Sequence, residues 1–92
     1  MELGLKGKVA LVTGGSEGIG KAAAKSLAAE GASVVICARR VDVLERAAGE
    51  IRASTGGNVM AVTADVTDPD QLRGLFEEIV AAHGRIDILV NN

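Results

Sequence analysis

The sequence contains no tryptophan, no tyrosine and one phenylalanine, Phe76. With ten Lys and Arg against twelve Asp and Glu, it lacks both the basic footprint and the stacking rings of a nucleic-acid binder. A single cysteine, Cys37, excludes an internal disulfide, and with one distant histidine, His83, it cannot assemble a zinc site. Cys37 reads as a small buried hydrophobe, His83 as a residue of a last helical turn, and Glu77-Glu78 as an outer helix face, so no metal is expected. The longest apolar run, Val34 to Ala38, is far too short to span a bilayer, and Met1 to Lys8 has no apolar signal core. The expected location is the reducing cytoplasm. An apolar content of 48% with balanced charge excludes disorder, and 92 residues leave room for one core only. A chain this short buries only about 60% of its surface on folding, which makes it marginal alone and points to a part of something larger.

What the sequence does have is a regular change of period. Val9-Ala10-Leu11-Val12 is a short apolar run, expected of a strand buried on both faces, and it ends in a glycine cluster. Ile19, Ala22, Ala23 and Leu27 then recur at helical spacing up to a stop at Gly31. Val34-Val35-Ile36-Cys37 reads as a second buried strand. Asp42 with Glu45 reads as a capping pair for a helix that buries Leu44, Ala47, Ala48 and Ile51 and ends at Gly56-Gly57. Its charges, Glu45, Arg46, Glu50 and Arg52, are expected to solvate its outer face.

Val59 to Val62 makes a third strand. Asp68-Pro69-Asp70-Gln71 supplies an N-cap, a first-turn proline and a capping glutamine for a helix with an inner stripe of Leu72, Leu75, Phe76, Ile79 and Val80, closed by Gly84. Ile86 to Val90 is the fourth strand. Four strands alternating with three helices predict an α/β fold, a Rossmann-type doubly wound parallel sheet. Right-handed crossovers put the first two helices on one face if the strands march outward, and the third must cross back to the other if strand four lies beside strand one; the implied arrangement is a four-stranded half in the order 3-2-1-4.

The chemistry starts at Thr13-Gly14-Gly15-Ser16-Glu17-Gly18-Ile19-Gly20, between the first strand and the first helix. Glycines here let the backbone turn sharply and approach a phosphate, while free N–H groups and the positive helix end face the anion. Gly15 to Lys21 also matches the mononucleotide P-loop spacing, but Ala22 stands where a hydroxyl must hold Mg²⁺. A dinucleotide site is therefore preferred, with Lys21 a solvated helix residue.

Thr-Gly-x-x-x-Gly-Ile-Gly, Asp65-Val66 after the third strand and Asn91-Asn92 after the fourth together resemble the short-chain dehydrogenase/reductase family. The resemblance covers essentially the whole chain and the N-terminal, cofactor-binding part of the family's domain. Residues 1–92 are thus expected to be part of a single NAD(P)-binding domain, cut after its fourth strand. It implies that Gly14, Gly18 and Gly20 shape the loop, that Ser16 and the Ile19 backbone touch phosphate and ribose, and that Asp65, with the Val66 N–H beside it, accepts from the adenine amino group. Asn91 and Asn92 would brace the sheet and contact ribose. The plainer alternatives stand beside these roles: Asp65 capping a turn, and the asparagines as turn residues.

An acid at the end of strand two favours NAD, and an arginine accommodates the 2′-phosphate of NADP. Ala38 stands at the acid position, followed by Arg39 and Arg40, whose guanidinium groups suit a phosphate. NADP(H) is expected over NAD(H), against two counter-readings: Arg39-Arg40 as a solvated turn, and Glu17 as a repelling charge. The resemblance implies hydride transfer between cofactor and a carbonyl or alcohol. The family's catalytic serine, tyrosine and lysine are not in this sequence, so no catalytic residue is assigned. The alternatives are a non-catalytic nucleotide-binding module, or a fragment needing its C-terminal complement. Any substrate contact or homo-oligomer would run through regions beyond residue 92.

Overall fold

A computed structural model describes residues 4–92. Its elements alternate as β1 (Val9–Thr13), α1 (Gly18–Ala29), β2 (Ser33–Ala38), α2 (Val41–Thr55), β3 (Val59–Thr63), α3 (Pro69–His83) and β4 (Ile88–Asn91). The strands form one parallel sheet in the order β3-β2-β1-β4, as expected. In the register, Thr13 pairs with Cys37 on one side and with Asn91 on the other, so the carboxyl ends of three strands meet at one edge.

Alternation along the buried strands divides the core in two. Ala10, Val12, Val34 and Ile36 face α1 and α2, meeting Ala24, Ala28, Leu44, Ala48 and Ile51. Val9, Leu11, Val35 and Cys37 face the opposite way, toward Leu75 and Ile79 of α3. Because both faces are covered, β1 and the centre of β2 read as continuous apolar runs.

The helix ends follow local chemistry. Asp68 caps α3 by accepting from the Asp70 N–H, Pro69 fills the first position, and Gly56 and Gly84 close α2 and α3 at φ of 69° and 78°. Three expectations fail. Asp42 does not cap α2: the helix begins at Val41, Arg40 is the N-cap without a side-chain bond, and Asp42 sits in the first turn near the positive helix end. The inner face of α1 is Gly20, Ala24 and Ala28, not Ile19 and Ala22, which lie outside. On α3 only Leu75 and Ile79 are fully buried, while Phe76 and Val80 are 37% and 54% exposed. Two expected surface charges also have partners. Lys21 of α1 pairs with Glu50 of α2, and Arg52 donates through Nε and Nη2 to the Val59 carbonyl, at 2.9 and 2.7 Å, tying α2 to the start of β3.

Candidate functional site

The edge where β1, β2 and β4 end is where an open parallel sheet binds ligands, since neighbouring connections leave in opposite directions there. A cleft of about 430 Å³ lies at this edge. It is lined by Gly14, Ser16 and Glu17 from the glycine loop, by Arg39 and Arg40 after β2, by Asp65, Val66 and Thr67 after β3, and by Asn92. Cys37, Ala38, Val43 and Ala64 give it an apolar wall.

The loop is pinned before it turns. Gly14 and Gly15 donate their N–H groups to the Cys37 carbonyl, at 2.9 and 3.3 Å, so they are already engaged. The first intrahelical bond of α1 runs from the Lys21 N–H to the Glu17 carbonyl. The amides of Gly18, Ile19 and Gly20 therefore open the helix without intrahelical partners, as anion sites require. Close approach is built in. A Cβ on Gly20 would collide with the Gly14 carbonyl and lie 2.8 Å from Asn92 Nδ2, and one on Gly15 would lie 2.8 Å from the Ile36 side chain. Gly14 and Gly18 have φ of 65° and 56°, where only glycine is unstrained.

The asparagines hold the loop from below. Buried Thr13 receives the Asn92 N–H on Oγ1 at 3.2 Å and donates toward Asn91 Oδ1 at 3.2 Å, while Asn92 Nδ2 donates to the Gly14 carbonyl at 3.3 Å. Asn91 thus faces Thr13 and does not line the cleft; neither do Gly18, Ile19 or Gly20, which shape the loop behind its mouth.

Asp65 is oriented by its successors. Its Oδ1 accepts from the N–H and hydroxyl of Thr67, at 2.9 and 2.6 Å. Those bonds hold its carboxyl below the usual carboxylate range, with a smaller pull from the Arg39 guanidinium, so it stays an acceptor. Burial pushes the Cys37 thiol up, which fits a wall residue rather than a nucleophile. Arg40 lies 4.0 Å from Asp42 in an exposed pair, and Arg39 makes no ion pair among the described residues. No group of three or more His, Cys, Asp or Glu that could hold a metal occurs among the described residues. No helix among them is long and apolar enough to cross a membrane.

Sequence reasoning gave Thr13 and Gly15 no role of their own within the loop, missed Thr67, and took Gln71 for a capping residue of α3, whereas its Oε1 accepts the Asp65 N–H. Gly15 and Thr13 act through partners distant in the chain, which no local pattern reveals. Thr67 was legible as a hydroxyl two residues after an aspartate, a turn-forming pair.

The partner-free amides at the start of α1 fit a pyrophosphate, the glycines letting loop and helix pack closely enough to present them, and the cleft beside them has an apolar wall and a carboxylate fixed by Thr67. Comparisons with known proteins agree with that geometry. A short chain dehydrogenase/reductase of Colletotrichum higginsianum is 48% identical over 89 residues, covering 97% of this chain and 33% of the relative. L-Sorbose reductase from Gluconobacter frateurii, solved with NADPH and L-sorbose, superposes with a TM-score of 0.95 at 43% identity, covering all of this chain and 35% of that one. A metagenomic short-chain oxidoreductase in complex with NADP gives 0.90 at 44% identity, covering 96% of this chain and 39% of that one. The chain thus spans about a third of the length of the curated relatives it matches. The sequence profile of the short chain dehydrogenase family matches residues 8–92, and the chain belongs to that family.

Proposed function

We propose that the chain carries the dinucleotide-binding part of an NADP(H)-dependent oxidoreductase acting on a carbonyl or alcohol in the cytoplasm. Residues 1–92 are read as the N-terminal part of one larger domain. The observation that carries the cofactor choice is the end of β2. Ala38 leaves no carboxylate to receive a ribose 2′-OH, and Arg39 borders the same cleft as Asp65 and the glycine loop. The NADPH and NADP found with two similar structures support this choice.

In this reading Gly14, Gly18 and Gly20 admit the pyrophosphate, and the Ile19 amide with Ser16 binds its oxygens. Arg39 and Arg40 grip the 2′-phosphate, Asp65 and the Val66 N–H hold the adenine edge, and Asn92 keeps the loop at its height with Asn91 bracing β4 below. The bound nicotinamide supplies or accepts the hydride. The residues of this chain fix where it sits and contribute no proton transfer.

Titration with 2′,5′-ADP and 5′-AMP isolates the 2′-phosphate. A charge-assisted pair to Arg39 predicts about tenfold or more tighter binding of 2′,5′-ADP at low salt. Equal affinities would overturn the NADP assignment, and failure of both probes to bind would overturn the site.

A further inference from the structure

Asp65 stands just beyond the sheet, where the ladder has ended: the Ala64 N–H still pairs with the Ala38 carbonyl at 3.0 Å. The next N–H, that of Asp65, is taken by a side chain, donating to Gln71 Oε1 at 2.8 Å. Gln71 is itself anchored, because its Nε2 donates to Asp68 Oδ2 at 3.1 Å while Asp68 Oδ1 caps the Asp70 N–H at 3.0 Å. The Asp68 N–H returns to the Asp65 carbonyl at 3.1 Å.

This differs from an ordinary capping box, in which the third helical residue reaches back to the N-cap N–H. Here the Asp65 carbonyl already occupies that N–H, so the Gln71 amide oxygen reaches three residues further. The consequence is that Asp65 is held at its N–H, its C=O and its Oδ1. Oδ2 alone carries no hydrogen bond among the described residues, beside a cleft that Asp65 lines.

We infer that Gln71 is a positioning residue for nucleotide recognition: it ties Asp65 to the first turn of α3 and so aims Oδ2 at the exocyclic amino group of the bound adenine. The inference rests on the proposed dinucleotide reading and adds to it a residue outside the cleft wall. Without the Gln71 oxygen, water must satisfy the Asp65 N–H; Thr67 still holds Oδ1, but the backbone that carries the carboxylate is no longer tied to α3 and Oδ2 is aimed less sharply.

The probes are NADPH and its hypoxanthine analogue, in which a carbonyl replaces the amino donor. Calorimetric titration of the full chain gives the ratio of their affinities, in which any general loss of fold or of phosphate binding cancels. In the wild type NADPH should bind about tenfold tighter, as expected for a hydrogen bond to a charged acceptor. Gln71→Ala, and Gln71→Met in case the shorter side chain unfolds the turn, should cut that ratio by about fivefold, the effect of losing one well-placed hydrogen bond. Gln71→Glu keeps an oxygen for the Asp65 N–H but loses the donor to Asp68 Oδ2, so it is paired with Asp68→Asn, whose amide donates to the new carboxylate while its oxygen still caps α3, and this double variant should retain the ratio. An unchanged ratio in the alanine and methionine variants, or its collapse in the Gln71→Glu, Asp68→Asn double variant, would overturn the role of Gln71. A wild-type ratio of one would overturn the aim of Oδ2, and a wild type that binds neither probe would overturn the dinucleotide reading itself.

Discussion

A methyl group at position 20 would meet the Gly14 carbonyl and the Asn92 amide together, and neither can move freely, because Gly14 is tied to β2 and Asn92 to Thr13. Gly20→Ala should therefore cost about 1–3 kcal/mol of stability, the range for overpacking a filled site, and weaken NADPH binding as the loop shifts. Thermal melts followed by far-UV circular dichroism, with NADPH titrations, check this. The need for glycine at 14, 18 and 20 was legible because spacing after a strand carries it. Gly15 was not, because what forbids its Cβ is Ile36 on the neighbouring strand, a contact made only by folding. Asp65 was legible as an acid, whereas the bonds that orient it come from Thr67 and Gln71 across a turn.

At the scale of elements, the inner face of α2, though not its cap, was read correctly because Leu44 and Ile51 are large residues among alanines and charges, leaving one way to face the sheet. The rotation of α1 was misread because Ala22, Ala23, Ala24, Ala28 and Ala29 give almost no periodic contrast. The close approach of Gly20 to Gly14 turns the helix instead, bringing Ala24 and Ala28 inward. On α3 the apolar stripe is wider than the surface that covers it. Leu75 is 1% exposed and packs on the sheet, while its neighbour Phe76 is 37% exposed and borders an open apolar groove with Leu72 and Val80. In this chain Leu75→Ala should cost about 2–5 kcal/mol and Phe76→Ala under about 1 kcal/mol, despite the larger side chain removed. Urea unfolding of the two variants measures the difference.

For the molecule as a whole, the strand order was legible once strand four was set beside strand one, with crossover handedness then assigning the helices to their faces. The ties that set β4 against β1 were not. Asp87 accepts the Val9 N–H at 2.9 Å, and the Arg85 guanidinium beside it holds its carboxyl below the usual range, a pairing between residues 78 apart in the chain. These ties bring the ends of β1, β2 and β4 level, and with them the glycine loop, Arg39 and Asp65 around one cleft. The central claim is that this cleft selects NADP(H) through Arg39. The most direct measurement is the ratio of NADPH to NADH affinity in the wild type and in Arg39→Asp, followed by calorimetry because the chain has no tryptophan or tyrosine to report binding. Replacing a phosphate-binding guanidinium with a carboxylate that repels phosphate and accepts from a 2′-OH should lower the ratio by about tenfold to a hundredfold, weakening NADPH and strengthening NADH. A ratio that does not change on that substitution would contradict it.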